Sequence, residues 1–165
     1  MEAIVADITR ISVDIVVNAA NEHLAGGGGV DRAIHRAAGY EELQQACRQL
    51  GGCPTGQVVV TPAFNLPASY IFHAVGPVWR GGHSGEQALL ASCYRQAMAM
   101  ADELCASSIA FPAISCGVYG YPPELAAPVA VSEVRTQLQK GSSLQRVVFC
   151  CFDEAMAQHY RPMLV

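Results

Sequence analysis

The chain has 165 residues, of which 52% are hydrophobic and 15% charged; a domain of this length buries roughly 68–70% of its unfolded surface and needs no disulfide or metal staple. Ten basic and fourteen acidic residues give a formal charge of −4, the wrong balance for a protein that neutralises many phosphates of a duplex. No apolar run approaches the roughly 18 residues of a membrane span, so one domain over residues 1–165 is expected, with neither a membrane nor duplex nucleic acid as partner.

The opening MEAIVADITR carries Glu2 and Asp7 where a secretory signal needs a basic region and then a sustained apolar one, which points to a cytoplasmic location. Cys47, Cys53, Cys93, Cys105, Cys116, Cys150 and Cys151 form no CxxC pair, and the histidines complete no regular ligand spacing. No metal site is expected, and the thiols read as small apolar side chains of a reducing compartment.

In chain order, strands are predicted over Ile4 to Ala6 and Asp14 to Asn18, followed by helices over Gly29 to Ala38 and Tyr40 to Leu50. Strands over Gln57 to Thr61 and Tyr70 to Val75 come next. From Ser84 a long helix is expected, with Ser84 and Gln87 as its capping box and Leu89, Leu90, Cys93, Ala97, Met100 and Leu104 on its apolar face. After a strand over Ser108 to Pro112, Pro122 and Pro123 open a helix that Gly141 ends. Val147 to Phe152 forms the last strand, and Asp153 caps a final helix that Pro162 limits. Several strands lack polar alternation and read as buried on both faces, so the alternation of strand and helix implies a layered α/β sheet covered on both sides.

The most informative segment is NAANEHLAGGGGVDRAIH, where a strand runs out into Asn21, four glycines, Asp31 and a helix. Each glycine costs roughly 0.5–1 kcal/mol relative to Ala in an ordered element, so Gly26 to Gly29 are either a flexible surface loop or a backbone that must approach a ligand closely. Their place between a strand's carboxyl end and a helix's amino end favours the second. Neither familiar phosphate loop matches: Lys140 is the only lysine, which excludes a Walker loop, and the third glycine of the dinucleotide pattern is missing at Asp31 or Arg32. Backbone N–H groups remain as phosphate donors, each bond to a charged oxygen contributing about 1.5–3 kcal/mol.

A second loop, AISCGVYGYPP, follows the strand ending at Pro112, and the two loops can face each other. Ser115 invites a nucleophile-elbow reading, but Ala113 replaces its first glycine and no histidine follows until His159. Cys116 paired with His35 or His73 is a further candidate, although nothing near it in sequence would lower its pKa. His73 reads as a core histidine and His35 as a packing residue of its helix. Asn21 offers a donor and an acceptor, suited to a sugar hydroxyl or a water, while Asp31 is either a helix cap or a weak general base.

The strings ADIT, DIVVNAANEHLAGGGGVDRAIHRAAG, CPTG, HAVGP and FPAISCGVYGYP occur in the order and spacing of macrodomains, and the chain most resembles the MacroD-type branch that includes bacterial O-acetyl-ADP-ribose deacetylases. The resemblance runs from Ile4 to about Tyr160 and implies a three-layer α/β/α macrodomain with a mixed, mostly parallel sheet of about six strands. It implies that Asp7 accepts from the adenine amine, with the backbone of Ile8 and the ring of Phe152 placing the base. Asn21 would orient the distal ribose, and the loop backbone at Gly28, Gly29, Val30 and Asp31 would pack against it. Ser115, Cys116, Gly117, Val118 and Tyr119 would wrap the diphosphate from the other side. Asp31 and Asn21 would be the catalytic pair, Asp31 activating a water against an ester on the distal ribose, with no metal or other cofactor. The substrates implied are ADP-ribose esters, O-acetyl or protein-linked through Asp or Glu, and the alternative is a reader that binds ADP-ribose without cleaving it. Ala6, Cys116 and Arg32 depart from the family pattern, and no extra substrate-recognition domain is expected beside the core.

Overall fold

The computed structural model describes residues 1–165. Its six strands are β1 (Glu2–Val5), β2 (Ile15–Ala19), β3 (Val58–Pro62), β4 (Tyr70–Ala74), β5 (Ser108–Phe111) and β6 (Arg146–Cys151). They form one sheet in the order β1-β6-β5-β2-β4-β3, parallel throughout except that β3 runs against β4. The helices are α1 (Gly29–Ala38), α2 (Tyr40–Leu50), α3 (Glu86–Glu103), α4 (Pro123–Gln139) and α5 (Glu154–Tyr160), with a 3₁₀ turn at Arg161–Met163 where Pro162 falls. This is the mixed, mostly parallel α/β architecture expected, with strand limits shifted by one or two residues.

Two apolar cores flank the sheet, because alternate residues of each strand point to opposite faces. Val17, Phe72, Phe111 and Phe149 pack against α3, α4 and α5, whereas Val16, Ile71, Ala110 and Val148 pack against α1 and α2. On the first face Tyr94, Phe111, Phe149 and Tyr160 form a continuous aromatic row with centroids 5.0, 6.1 and 5.0 Å apart. The central strands β2, β5 and β6 are buried over nearly their whole length, as their missing polar alternation requires.

Asp153 caps α5, its carboxylate accepting from the Met156 amide at 2.9 Å, and Pro123 occupies the first turn of α4. The capping box expected at Ser84 and Gln87 is not formed. α3 begins at Glu86 after Gly85, which takes φ 77°, and no side chain caps it. The Glu86 carboxylate instead accepts from the amides of Arg80, Gly82 and Ser84 at 2.9, 2.8 and 2.6 Å, bonds that hold its carboxyl down at about 2. A carboxylate able to collect three loop amides displaces the two reciprocal bonds of a capping box.

Candidate active site

Because β2, β5 and β6 are parallel neighbours, the loops leaving their carboxyl ends emerge side by side. From β2 the chain crosses one face through α1 and α2; from β5 it crosses the other through α4, so the connections part between these two strands. Clefts form at such switch points of α/β sheets. Here the cleft has a volume of about 500 Å³ and is lined by Ala19 to Asn21, Gly27 to Asp31, Gly76, Pro112 to Tyr119, Cys150, Phe152, Asp153 and Met156.

Of the residues proposed from sequence, Asn21, Gly28, Gly29, Val30, Asp31, Ser115, Cys116, Gly117, Val118, Tyr119 and Phe152 line this one cleft. Asp7 and Ile8 do not. They lie on the turn after β1, tied to the cleft wall by Cys150, whose thiol donates to the Ala6 carbonyl at 3.3 Å. The Asp7 carboxylate accepts from the Thr9 hydroxyl at 2.6 Å and the Thr9 amide at 3.0 Å, with Arg10 at 3.6 Å; these bonds hold its carboxyl below the usual carboxylate range. The Ile8 side chain is spent on the core beneath the sheet.

Asp31 is not the helix cap that one reading allowed. Gly28 occupies the N-cap position without a side-chain bond, and Asp31 sits within the first turn of α1 at 4% exposure. Its Oδ1 accepts from Asn18 Nδ2 at 2.8 Å and from His35 Nδ1, one helical turn on, at 2.9 Å. Asn18 gives its other amide hydrogen to His73 Nδ1 at 3.2 Å, and His73 Nε2 meets the Thr61 hydroxyl at 2.9 Å. The Nδ1 atom must therefore accept, which makes His73 a neutral Nε2–H tautomer, and burial pushes it down to about 4. The register of the parallel β2–β4 pair, which sets Asn18 opposite His73, brings these two side chains together.

On the other side of Asp31, burial works against a charged His35 ring, but the hydrogen bonds to Asp31 outweigh it and hold the imidazole up at about 10. The Gln44 amide lies 2.6 Å from His35 Nε2 and 3.1 Å from the Leu24 carbonyl. Its nitrogen suits a neutral ring. A charged ring requires the amide to turn its oxygen toward Nε2–H and give up Leu24. The direction set by Asp31 stands, because two of its oxygens, backbone and carboxylate, face Nδ1 at 2.9 Å.

The opposite loop is built differently. Ser115 takes φ 68°, and its hydroxyl is buried without a hydrogen-bond partner in the protein. With no histidine bonded to it, Ser115 lacks the base an elbow serine needs. Burial pushes the Cys116 thiol up to about 12, the reverse of what a nucleophilic cysteine requires. The amides of Ser115, Gly117, Val118 and Tyr119 donate to no group of the chain, and those of Gly29, Val30 and Asp31 lie on the same cleft at the amino end of α1, where no intrahelical carbonyl is in reach. The cleft thus offers a floor of N–H donors for an anion, one buried carboxylate at the side and an apolar lip at Val118 and Phe152, which are 96% and 91% exposed.

Sequence reasoning did not place Asn18, Thr61, Gln44 or Gly76 in this site, whereas Gly27 belongs to the glycine run that it read as approaching a ligand. Asn18 and His73 did carry a signal, as polar residues inside strands otherwise buried on both faces. Gly76 is required sterically: a Cβ there would stand 2.2 Å from Ser115 Oγ and 2.6 Å from Ile114 Cγ2. No group of metal-ligating side chains gathers anywhere in the molecule, and no helix is long and apolar enough to cross a membrane.

Comparison with known proteins agrees with this geometry. The Macro domain family model matches residues 17–130. A Macro domain-containing protein of Ralstonia nicotianae is 56% identical over 164 residues, covering 99% of this chain and 94% of its own. A Klebsiella pneumoniae protein named O-acetyl-ADP-ribose deacetylase is 52% identical, covering 99% and 95%. Among solved structures, the Oceanobacillus iheyensis macrodomain with ADP superposes with a TM-score of 0.93 at 41% identity, covering 98% of this chain and 88% of that one. The Trypanosoma brucei macrodomain in complex with ADP-ribose gives 0.90 at 38% identity, covering 99% and 68%. With the family model, the identity along nearly the full length and the superposition in accord, the chain belongs to the Macro domain family.

Proposed function

We propose that this protein binds ADP-ribose in the cleft and hydrolyses esters on the distal ribose, either O-acetyl-ADP-ribose or ADP-ribose joined to Asp or Glu side chains. The observation that carries the reading is Asp31, a buried carboxylate with Oδ1 engaged by Asn18 and His35 and Oδ2 free of such a partner, on a cleft that Asn21 also lines. The unpaired amides of the 115–119 loop and the start of α1 suit a diphosphate, since backbone donors preset in place bind an anion without lysines. Phe152 covers the adenine, and Asp7 with the backbone of Ile8 takes its edge beyond Cys150. The names of the Klebsiella proteins and the ligands of the solved macrodomains support the same substrate class.

In this reaction a water donates a hydrogen bond to Asp31 Oδ2 while its oxygen attacks the acyl carbon. The bond from that carbon to the ribose oxygen breaks, and the proton taken by Asp31 passes to the departing ribose oxygen. Carboxylates are weak bases, but esters leave far more readily than amides, and fixed positions for water and ester supply much of the barrier reduction.

Acetate release from O-acetyl-ADP-ribose tests the reading. Asp31→Ala is expected to lower kcat by at least about 10²-fold, on the scale of a positioned general base, while calorimetry shows ADP-ribose affinity within about tenfold, near 1.4 kcal/mol. Native protein that binds ADP-ribose yet turns over no faster than Asp31→Ala is a reader and not a hydrolase.

A further inference from the structure

We infer that Glu86, a buried carboxylate with no place on the cleft, is a positioning residue of ADP-ribose binding: through the loop before α3 it braces the main-chain donors of residues 115–119. The inference rests on the ADP-ribose reading above and adds to it a residue that acts at a distance. Glu86 is 1% exposed and stands outside the cleft lining. Burying a carboxylate is costly unless it is hydrogen-bonded. Here all the bonds go to one target, the glycine-bearing loop between β4 and α3. Oε2 accepts from the Arg80 and Gly82 amides and Oε1 from the Ser84 amide, and residues 80–84 make no other hydrogen bond within the chain.

The segment after β4 meets the 115–119 loop twice. At Gly76 the two backbones approach until no Cβ fits against Ser115 Oγ. Three residues on, the Trp79 amide donates to the Tyr119 carbonyl at 2.8 Å, the sole backbone bond that reaches Ser115–Tyr119 from another segment. The Trp79 ring lies against Tyr121 with centroids 4.6 Å apart, and the Tyr121 amide donates to the Ser115 carbonyl at 2.9 Å. Trp79 therefore reaches the carbonyls at both ends of the donor loop, one directly and one through Tyr121. Glu86 fixes Trp79 in turn. It holds the next residue, Arg80, and also Gly82, whose backbone runs so close to the indole that a Cβ there would stand 2.9 Å from Cη2.

A second carboxylate on the same helix supplies a control. Asp102, at the other end of α3, accepts from the Ser142 hydroxyl at 2.6 Å and the Ser143 amide at 3.1 Å. It ties down the turn that enters β6, at the opposite end of that strand from the cleft. A purely structural Glu86 would behave as Asp102 does when replaced.

Glu86→Gln keeps the shape of the side chain but sets an NH₂ group against at least one of the three amides. By calorimetry on the intact protein its ADP-ribose affinity is expected to fall at least about tenfold, since an unbraced donor loop must be ordered on binding. With O-acetyl-ADP-ribose the loss is expected in KM, with kcat within about threefold, because Asp31 stands on the other loop. Trp79→Leu leaves the Glu86 bonds intact and cuts the brace further on; it is expected to repeat this pattern, with affinity lower by at least about fivefold. Asp102→Asn is expected to lower the melting temperature by a few degrees, as Glu86→Gln does, yet to keep affinity within twofold. In the free proteins, hydrogen exchange at the Trp79 and Tyr121 amides is expected to quicken at least about tenfold in Glu86→Gln and to stay native in Asp102→Asn.

The inference is overturned if folded Glu86→Gln binds ADP-ribose as the native protein does, if Asp102→Asn loses affinity equally, or if the two amides keep their native exchange. Should Glu86→Gln not fold, Trp79→Leu decides, and native affinity in that variant overturns the brace. Native protein that fails to bind ADP-ribose sinks the reading of the cleft, while the exchange rates still decide whether Glu86 holds the loop.

Discussion

The two loops that close the cleft solve opposite problems. The loop from Asn21 to Asp31 holds a carboxylate out of water, and behind it stand Asn18, His35, His73, Thr61 and Gln44, a chain of buried polar groups bonded one to the next. The loop from Pro112 to Tyr121 has no such backing. It is held by its own turns, Cys116 to Ala113, Gly120 to Gly117 and Tyr121 to Ser115, and by the close approach of Gly76. A charge in a low-dielectric setting needs fixed partners, whereas a set of N–H donors needs only a shaped backbone. Side-chain chemistry is thus concentrated in one loop and main-chain geometry in the other.

Perturbing the histidines behind Asp31 gives the largest expected effect on stability. His73 titrates near 6.5 when unfolded and near 4 when folded, so between these values the unfolded chain binds more protons and stability falls as pH falls. Linkage puts the loss at about 3 kcal/mol by pH 4, and urea melts of His73→Gln should show a flatter profile over that window. His35 acts in the other direction. Its folded value is raised to about 10, so its contribution is complete below pH 6.5 and is lost as pH rises toward 10, which His35→Gln should abolish.

Asn18→Ala severs the network at its middle, leaving Asp31 short of a donor and His73 Nδ1 without its partner. A loss of about 2 kcal/mol is expected in denaturant melts, the scale for stranding buried polar atoms, together with a fall in kcat larger than any change in ADP-ribose affinity. The second loop responds in the opposite pattern. Gly76→Ala forces Ser115 and Ile114 aside at an expected cost of about 1–2 kcal/mol, and calorimetry should show ADP-ribose affinity falling by at least tenfold because the amides are displaced. Equal effects of the two variants on affinity would erase the contrast between the loops.

The smallest effect is expected at Cys116. Its thiol is pushed up to about 12, so Cys116→Ser should lower turnover by no more than about threefold. Complete loss of acetate release in that variant would transfer the chemistry from the first loop to the second.

The limits of α1 and α2 were legible because Gly28, Gly39 and Gly51 mark helix ends locally, and the strands were legible because they are short runs rich in β-branched and aromatic residues, too short for buried helices. The start of α3 was misread for an equally physical reason: Ser84 and Gln87 satisfy a local pattern, but the Glu86 carboxylate reaches three amides of the preceding loop. At Asp31 the cap reading could not be excluded from neighbours in sequence, since Gly28 takes the N-cap position and the Asp31 carboxylate is engaged instead by Asn18, which arrives from an adjacent strand.

By itself the sequence determined the alternation of strands and helices, the two glycine-bearing loops at strand ends, and the absence of lysines from both, because each depends on residues a few positions apart. Only the tertiary structure decided which oxygen of Asp31 is free and why Gly76 admits no side chain. Those depend on β2 lying between β4 and β5 in one register, which brings residue 18 to residues 31 and 73. Local pattern specifies elements, but the polar atoms that frame this cleft are adjacent only because long-range strand pairing puts them there.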